Sequence, residues 1–472
     1  MANPCDIAIV GGGFSGLAVL ANIVQKAKRP LSVTIISRDP PDVFGPAYST
    51  PRPEHLLNVR AAAMGLFDDN HRGFYEWAAA RDKNIKPDEY LSRNLFARYL
   101  ASVREETLLA AEKKSIIVDF VRAELTDIVP ASSALRLVTD GKSIEAKNVI
   151  LAIGNTLKAK EEPQTPRLIS DVWNFNYEAL ERVEDIHHVA IIGSGLTALD
   201  TIISLLNRKW KGKITCLSGS ALLPQPHPIA YDAAKVKPAE RQKYLGRRLS
   251  GVMQALRKDI QARINEWPYV IDGVRPLVQE IWKGLSPKDR QRMSQRYFNL
   301  WNVHRHRCDA NIRKQIDDAA ATGAFAMLKA KCTGFTPVQG GVDVAMERDG
   351  KSLTERYDIV FKCFGINYAV ANNPLLMTLL NKGLLKSADN PYGIAADANF
   401  RACYGPSGTI YALGTPLFGQ LFETTAVPEL RHQAAKIADE IISGRSGLSQ
   451  SPAADGGESP GAPPEASAIA GN

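Results

Sequence analysis

The chain carries one glycine-rich turn twice, as AIVGGGFSGL at residues 8–17 and AIIGSGLTAL at residues 190–199. In the first copy an apolar β-type run at 6–10 leads into Gly11, Gly13 and Gly16, then an apolar helical pattern, then a second β run, LSVTIIS, at 31–37. The second copy, Gly193, Gly195 and Ala198, follows HVAII, precedes LTALDTIISLL and is followed by KITCLS at 213–218. Strand, tight glycine turn, helix, strand is a unit in which glycines let the backbone approach an anion while free amides and the helix dipole attract it. The glycine spacing alone says little, but between a strand and a helix it predicts a turn that holds pyrophosphate. Two such turns predict two dinucleotides.

The likeness continues beyond the turns. IIVDFV, LRLVT and NVILAIGN in the first half recur in order as AFAMLKAKCTGF, VDVAME and DIVFKCFGIN in the second. Each half therefore reads as a nucleotide-binding βαβ, a small β-meander and a buried strand ending in glycine, Gly154 or Gly365. Between the halves, at about 230–320, Leu249, Val252, Met253, Leu256, Ile260 and Ile264 recur at helical spacing. From Lys235 to Lys314 there are nineteen Lys/Arg against seven Asp/Glu, a formal charge of 19 − 7 = +12 that exceeds the +8 of the whole chain. This segment is read as the solvated face of a helical lid, or as a surface that draws in an anionic cofactor or substrate. No nucleic-acid-binding motif accompanies the charge. The last stretch, from 444 to 472, is rich in Gly, Pro, Ser and Ala, which predicts a disordered tail.

Other function classes fall away. Cys5, Cys216, Cys308, Cys332, Cys363 and Cys403 lie far apart, with neither zinc spacing nor a redox CxxC, and the histidines form no HExxH, so no metal site is expected. No run of eighteen apolar residues predicts a membrane span, and a strand starting near Ile7 leaves no room for a signal peptide, so the expected location is the cytoplasm.

The residues resemble the flavoproteins with two dinucleotide-binding domains, in particular a bacterial FAD/NAD(P)-binding family related to class B flavin monooxygenases and N-hydroxylases. Beyond the glycines, the likeness rests on FGPAYSTPRPEHLLNVRAAAMGLFDD at 44–69, YLSRNLFARYL at 90–100, LLPQPHP, WNVHRHR and YALGTPLFGQLFETTAVPELRHQAAKIADEI, and it spans about residues 6–443. It implies an α/β fold of two Rossmann-like dinucleotide-binding domains, each with a small β-meander, plus a helical insert. The implied boundaries are 1–160 and 366–443 for FAD, 161–229 and 321–365 for NAD(P)H, 230–320 for the basic insert and 444–472 for the tail.

The same resemblance implies that Gly11, Gly13, Phe14, Ser15 and Gly16 hold the FAD pyrophosphate, with Leu57, Asn58 and Met64 beside the cofactor. Gly193, Ser194, Gly195, Leu196 and Ala198 would take the nicotinamide dinucleotide. Gly414 ends a strand, and a helix starting near Thr425 to Pro428 would aim its positive end at the flavin pyrimidine. The chain departs from the pattern in three places. Ser37 and Arg38, with Asp39 beyond them, stand where an acidic residue usually takes the ribose hydroxyls. SGSALLP at 218–224 lacks the basic residues that would distinguish NADPH from NADH. Gly414-Thr415 replaces the Gly-Asp of many relatives.

Two dinucleotides without a cysteine pair make hydride transfer from nicotinamide to flavin the simplest chemistry. The resemblance points to a monooxygenase that oxidises a heteroatom of a small molecule, and the cationic segment 235–314 points to a substrate that bears a carboxylate or an amine. The segment SDVWNF at 170–175 supplies Trp173 but no histidine of the Baeyer–Villiger type. The alternatives are a flavin-dependent reductase and a nucleotide-binding regulatory protein. In HRHR at 304–307, Arg305 and Arg307 would share a face of an extended segment and either clamp an anion or fasten the insert through ion pairs. His227, between prolines, would meet nicotinamide or substrate, or serve as a turn residue.

Overall fold

The computed structural model describes residues 4–155, 165–182, 185–208, 210–365, 368–388 and 392–444. The strands are β1 (Cys5–Val10), β2 (Ser32–Ser37), β3 (Ile117–Arg122), β4 (Leu125–Pro130), β5 (Leu135–Thr139) and β6 (Ser143–Leu151) in the first half. There follow β7 (Leu168–Ile169), β8 (His188–Ile192), β9 (Lys213–Ser218), β10 (Phe325–Lys329), β11 (Lys331–Val338), β12 (Gly341–Arg348), β13 (Lys351–Tyr357), β14 (Ile359–Lys362), β15 (Arg401–Gly405) and β16 (Gly408–Ala412).

The first sheet runs β15-β16-β6-β1-β2-β3. From β16 to β3 all neighbours are parallel, and β15 closes one edge antiparallel to β16. Successive side chains of a strand point to opposite faces, and β1 obeys this from Ile7 to Val10. Ile7 and Ile9 join the core beneath the helix Phe14–Lys26, while Ala8 and Val10 join a second core on the other face. Cys5, at the strand's first position, departs from the alternation and joins the second core. The helix Phe14–Lys26 is buried from Phe14 through Val24, because the sheet covers one side and the helices Arg93–Lys113 and Val427–Ile442 cover others. An apolar, small-residue sequence all round suits such a position. Lys26 fastens it to the last helix by donating to the Ala435 carbonyl at 3.0 Å and pairing with Asp439 at 2.7 Å.

The second sheet runs β10-β9-β8-β14-β7, parallel throughout. One face packs on the helices Leu196–Leu206 and Ala310–Ala321, and the other is covered by the antiparallel sheet β11-β12-β13 through Val342, Val344 and Met346. The α/β class with two parallel sheets, meanders and a helical insert is thus present as the sequence implied.

The meanders differ from the sequence reading in two details. IIVDFV and AFAMLK are not meander strands: they are β3 and β10, each extending its parallel sheet beside β2 or β9. The two meanders are also unlike each other. In the first, β4 and β5 run onto the beginning of β6, so Ser143–Ala146 faces β5 while the rest of β6 continues into the main sheet. In the second, a separate strand β13 completes the meander before β14 begins.

The insert is a set of short helices, the longest of which is Leu249–Ala262. Leu249, Val252 and Leu256 face its core with Trp282 and Trp301, but Ile264 falls outside the helix and is 60% exposed. The segment called a disordered tail lies, except for Gly444, outside the described residues.

Candidate functional site

The two glycine turns share backbone angles and contacts. Gly11 has φ +112° and Gly193 φ +111°, and a Cβ on either would lie 2.2 or 2.3 Å from a carbonyl oxygen, that of Ala152 or Cys363. Each therefore demands glycine, both for its backbone angle and for the close approach of the neighbouring strand's extension. The amides seal the match: Gly11 donates to Ile36 O at 2.8 Å and Gly193 to Leu217 O at 2.9 Å. Gly13 and Gly195 are the residues at which each helix starts, so Phe14, Ser15 and Gly16, or Leu196 and Ala198, form a first turn whose amides have no intrahelical acceptor.

The turns differ at two points. A Cβ at Gly16 would meet Gly11 O at 2.0 Å, whereas the second unit accommodates the methyl of Ala198, fully buried. Gly13 sits under the segment 44–45: Phe14 N donates to Phe44 O at 3.1 Å, and a Cβ on Gly13 would lie 3.4 Å from that oxygen. No described atom lies within 4 Å of the corresponding point at Gly195.

At the ends of the second strands, serine hydroxyls replace the usual carboxylate. A Cβ on Gly12 would lie 3.3 Å from the Ser37 side chain, which places Ser37 against the first turn. Arg38 leans away to the exposed Glu124 at 3.4 Å. In the second unit the hydroxyls form a chain, with Ser194 Oγ donating to Ser218 Oγ at 2.8 Å and Ser218 lying 3.2 Å from Ser220. Hydroxyls here suit ribose hydroxyl groups as neutral partners.

Leu57 and Met64 are buried in the first core, and Leu57 N donates to Leu91 O at 2.8 Å. Gly414, φ +73°, leaves β16 with its amide donating at 2.8 Å to Gln433 Oε1, and Gln433 in turn donates to Thr424 Oγ1 at 2.8 Å. This buried glutamine ties the strand end to the segment holding Thr425, two residues before the helix Val427–Ile442. Beside it, Gly154, Ile153, Thr415, Pro416, Tyr368 and Asn373 line a small cleft.

His227, Arg305 and Arg307 are all buried where the insert meets the nucleotide units. His227 Nδ1 accepts from Arg307 Nε at 3.2 Å, so the ring proton sits on Nε2 and is donated to the Asn58 carbonyl at 3.2 Å. Burial, reinforced by the Arg307 charge, pushes the His227 pKa down to about 3, so the ring is neutral. Tyr90 stacks on it at 4.5 Å. Arg307 also makes two bonds to Asp272, at 2.7 and 2.8 Å, and Arg305 donates to Glu423 Oε2 at 3.0 Å. Arg305 is the last residue of the helix Phe298–Arg305, so the extended segment expected at 304–307 is absent, and the two guanidinium groups go to different carboxylates. Arg305 thus ties the insert to Glu423 outside it, whereas the Arg307 ion pair with Asp272 is internal to the insert and Arg307 reaches beyond it to the ring of His227.

Sequence reasoning missed Arg60, Tyr231 and Asp272. The Arg60 guanidinium lies 3.4 Å over the Tyr231 ring, and Tyr231 reaches Asp272 at 3.5 Å. Arg60 lies about 170 or more positions from the other two, and Tyr231 and Asp272 are 41 apart, so no local spacing reveals them. The joint between the two nucleotide units was missed for the same reason. Arg93 pairs with Asp200 at 3.2 Å, Arg208 with Glu54 at 3.0 Å, and the fully buried His55 lies 2.8 Å from Ser204 Oγ and 2.8 Å from Thr50 Oγ1. A histidine and serine sealed from solvent in this way are structural.

Residues 8–156 match the family model described as FAD-NAD(P)-binding. The chain has the fold of flavoproteins with two dinucleotide-binding domains. Among solved structures, the ornithine N-hydroxylase of Kutzneria sp. 744 aligns with 94% of this chain and 100% of its own, at 14% identity and a TM-score of 0.64. The ornithine hydroxylase of Pseudomonas aeruginosa aligns with 93% and 99%, at 15% identity and a TM-score of 0.66. The bacillithiol disulfide reductase of Staphylococcus aureus aligns with 94% and 100%, at 13% identity and a TM-score of 0.55. At these identities the shared property is the fold. No curated protein sequence matches the chain significantly. No helix among the described residues is long and apolar enough to cross a membrane, and no described group of His, Cys, Asp and Glu could hold a metal ion.

Proposed function

We propose that the chain is an FAD-dependent NAD(P)H oxidoreductase that oxidises the nitrogen of an amine-bearing small molecule. The observation that carries this reading is the pair of glycine turns, each on its own parallel sheet, in a chain whose six cysteines include no Cys-X-X-Cys pair. Two dinucleotides without a thiol pair suit hydride transfer followed by reaction with a small acceptor rather than thiol exchange. The neighbours titled as N-hydroxylases, with TM-scores of 0.64 and 0.66 against 0.55 for the disulfide reductase, support nitrogen as the atom oxidised.

The residues fit the cofactors. In the first unit, residues 1–160 and 366–443, Gly11 through Gly16 would hold the FAD pyrophosphate, and Ser37 would meet the ribose. Leu57, Asn58 and Met64 would lie beside the ring system, with the start of the helix Val427–Ile442 directed toward it. In the second unit, 161–229 and 321–365, Gly193 to Ala198 would hold the nicotinamide dinucleotide in the space left open above Gly195. When bound, FAD would supply hydride acceptance and the activation of dioxygen. The chain's own tasks are to orient the two dinucleotides, to exclude water and to place the amine. The insert, 230–320, serves as the cover, fastened by Arg305 to Glu423 and by Arg307 to His227.

The test is anaerobic reduction of the purified yellow protein by NADH and by NADPH, followed by admission of oxygen with and without candidate amines. Bleaching by a reduced nicotinamide, and oxygen uptake matched by hydroxylated product, are expected. Slow reaction with oxygen but rapid reoxidation by a quinone would replace this reading with the reductase alternative.

A further inference from the structure

At its centre the insert holds a cavity of about 50 Å³ that opens to solvent, within about 480 Å³ of atom-free space that includes the opening. Its wall is apolar, built from side chains such as Val252, Met253, Leu256, Ile281, Trp282 and Phe422. Three wall residues carry a polar atom, and all three are engaged elsewhere: the Tyr244 hydroxyl donates to Asp259 at 2.8 Å, the Trp282 N–H to Gly419 O at 3.2 Å, and the Trp301 N–H to Glu423 at 2.5 Å. Water needs two to four polar partners to be held in a cavity, and none is left here. A charged or hydrogen-bonding ligand would find nothing to pair with and would lose its hydration. The occupant this wall accepts is hydrocarbon.

The insert's positive charge does not alter that conclusion. Arg241, Lys243, Arg263, Arg305 and Arg307 are each matched by a carboxylate, respectively Glu280, Glu240, Glu266, Glu423 and Asp272. A row of rings connects the cavity with the cleft at Gly154 and Thr415. Trp282 stacks on Phe422 at 4.8 Å, Phe422 lies 6.0 Å from Phe418, and Phe418 stacks at 3.7 Å on Tyr368, which lines the cleft.

We propose that this cavity is a binding site for an alkyl or aryl group, and that on the reading given under Proposed function this group is the non-reacting part of the amine substrate. The binding itself does not depend on that reading.

The experiment uses the full chain with its FAD and a series of straight-chain primary amines from propylamine to octylamine. Binding is followed without nicotinamide by calorimetry and by tryptophan emission, since Trp282 and Trp301 lie in the wall. Each added methylene should tighten binding by up to about fourfold, the value of burying one CH₂. Met253→Trp or Ile281→Trp, placed to fill the space, should weaken octylamine at least about tenfold, the loss of two or so buried methylenes, with FAD content unchanged. Affinity independent of chain length overturns the inference, and so does unaltered octylamine binding by both substituted proteins. If neither folds, the wild-type series decides. Chain-length-dependent binding without amine-dependent oxygen consumption would keep the site and remove the monooxygenase reading. Turnover of short polar amines, with kcat/KM indifferent to chain length and no such binding, would do the reverse.

Discussion

The first glycine turn is enclosed and the second is open. Phe44 and Gly45 lie over Gly13 and take the amide of Phe14, and the helix behind the turn is buried from Phe14 through Val24 between the sheet and two other helices. Gly195 faces clear space, although the helix Leu196–Leu206 is itself buried from Ala198 through Leu205. A shared local sequence therefore yields two sockets of different access. The difference lies in what the rest of the chain lays over each turn, and it suits a resident cofactor in the first unit and an exchanging one in the second.

The largest effect to break this comparison is expected at Gly16. Its Cβ would lie 2.0 Å from Gly11 O, so Gly16→Val must move the helix start or the turn, and the purified protein should lose essentially all FAD. Ala198→Val, at the matching point of the second unit, should leave FAD bound and weaken only nicotinamide-dependent reduction. Loss of FAD from both variants, measured by absorbance per chain, would mean that the units are not separate sockets.

The next effect concerns the insert's fastening to the first unit. Arg305 and Glu423 have side chains only 7% and 8% exposed, and removing one partner of such a pair leaves the other charge buried, at a cost of about 3–5 kcal/mol. Arg305→Leu should lower the urea midpoint accordingly, and a change below 1 kcal/mol would show that the joint is not closed in solution. Acid should loosen the same joint. His227 is neutral in the fold, with its pKa depressed by burial first and by Arg307 second, to about 3. The unfolded chain takes up a proton near the ordinary value of about 6.5. Between these values the unfolded state binds more protons, so stability is complete above about pH 6.5 and falls as pH drops toward 3. His227→Gln should flatten that slope in a pH series of unfolding curves, and an unchanged slope would assign the acid sensitivity elsewhere.

Much of this architecture was legible because it is local. Turn glycines, alternating strands and the β-α-β order are written within ten to thirty residues, and the two parallel sheets follow from them. The long-range polar joints were not legible. Arg60 meets Tyr231, Arg93 meets Asp200 and Arg305 meets Glu423 across more than 100 positions, and a lone arginine in sequence carries no sign of which carboxylate or ring it will face. HRHR shows the limit well: its charge was evident, but whether it faced a ligand or an internal partner depended on segments brought in from elsewhere. The meanders failed in a subtler way. A short apolar β run reads alike in a parallel edge and in an antiparallel ribbon, so β3 and β10 were grouped with the wrong neighbours.

A smaller effect is expected where the covering segment turns. Gly45 has φ +103° with no described atom within 4 Å of its Cβ position, so Gly45→Ala meets no clash and the cost comes from the backbone alone. Holding a non-glycine residue there costs on the order of 1–3 kcal/mol. That strain falls on the segment covering the first turn, so FAD dissociation should accelerate by about tenfold or more, each 1.4 kcal/mol being one factor of ten. The KM for NAD(P)H should not change. Dilution of the holoprotein with a fluorescence readout of released FAD measures the first quantity, and an unaltered release rate would deny the segment its role as a cover.

The smallest effect on the fold, and the sharpest on the comparison, belongs to Gly195. Its backbone is extended, with φ −83°, and a Cβ there would enter open space, so neither strain nor clash opposes Gly195→Ala in the free protein. Thermal unfolding should therefore shift by no more than a surface substitution does, within about ±0.5 kcal/mol. If that open space is where a pyrophosphate approaches the helix start, the methyl group stands in its path, and the KM for NAD(P)H should rise several-fold while FAD content and the melting curve stay at wild-type values. Gly13→Ala is the contrasting variant: its methyl would lie in ordinary contact with the Phe44 carbonyl, 3.4 Å away, beneath the segment that covers the first turn. It should disturb FAD retention and leave the KM for NAD(P)H unchanged. An unchanged KM in Gly195→Ala would show that the space above the second turn is not the nicotinamide dinucleotide's place, and the pairing of an enclosed resident with an open exchanger would have to be abandoned.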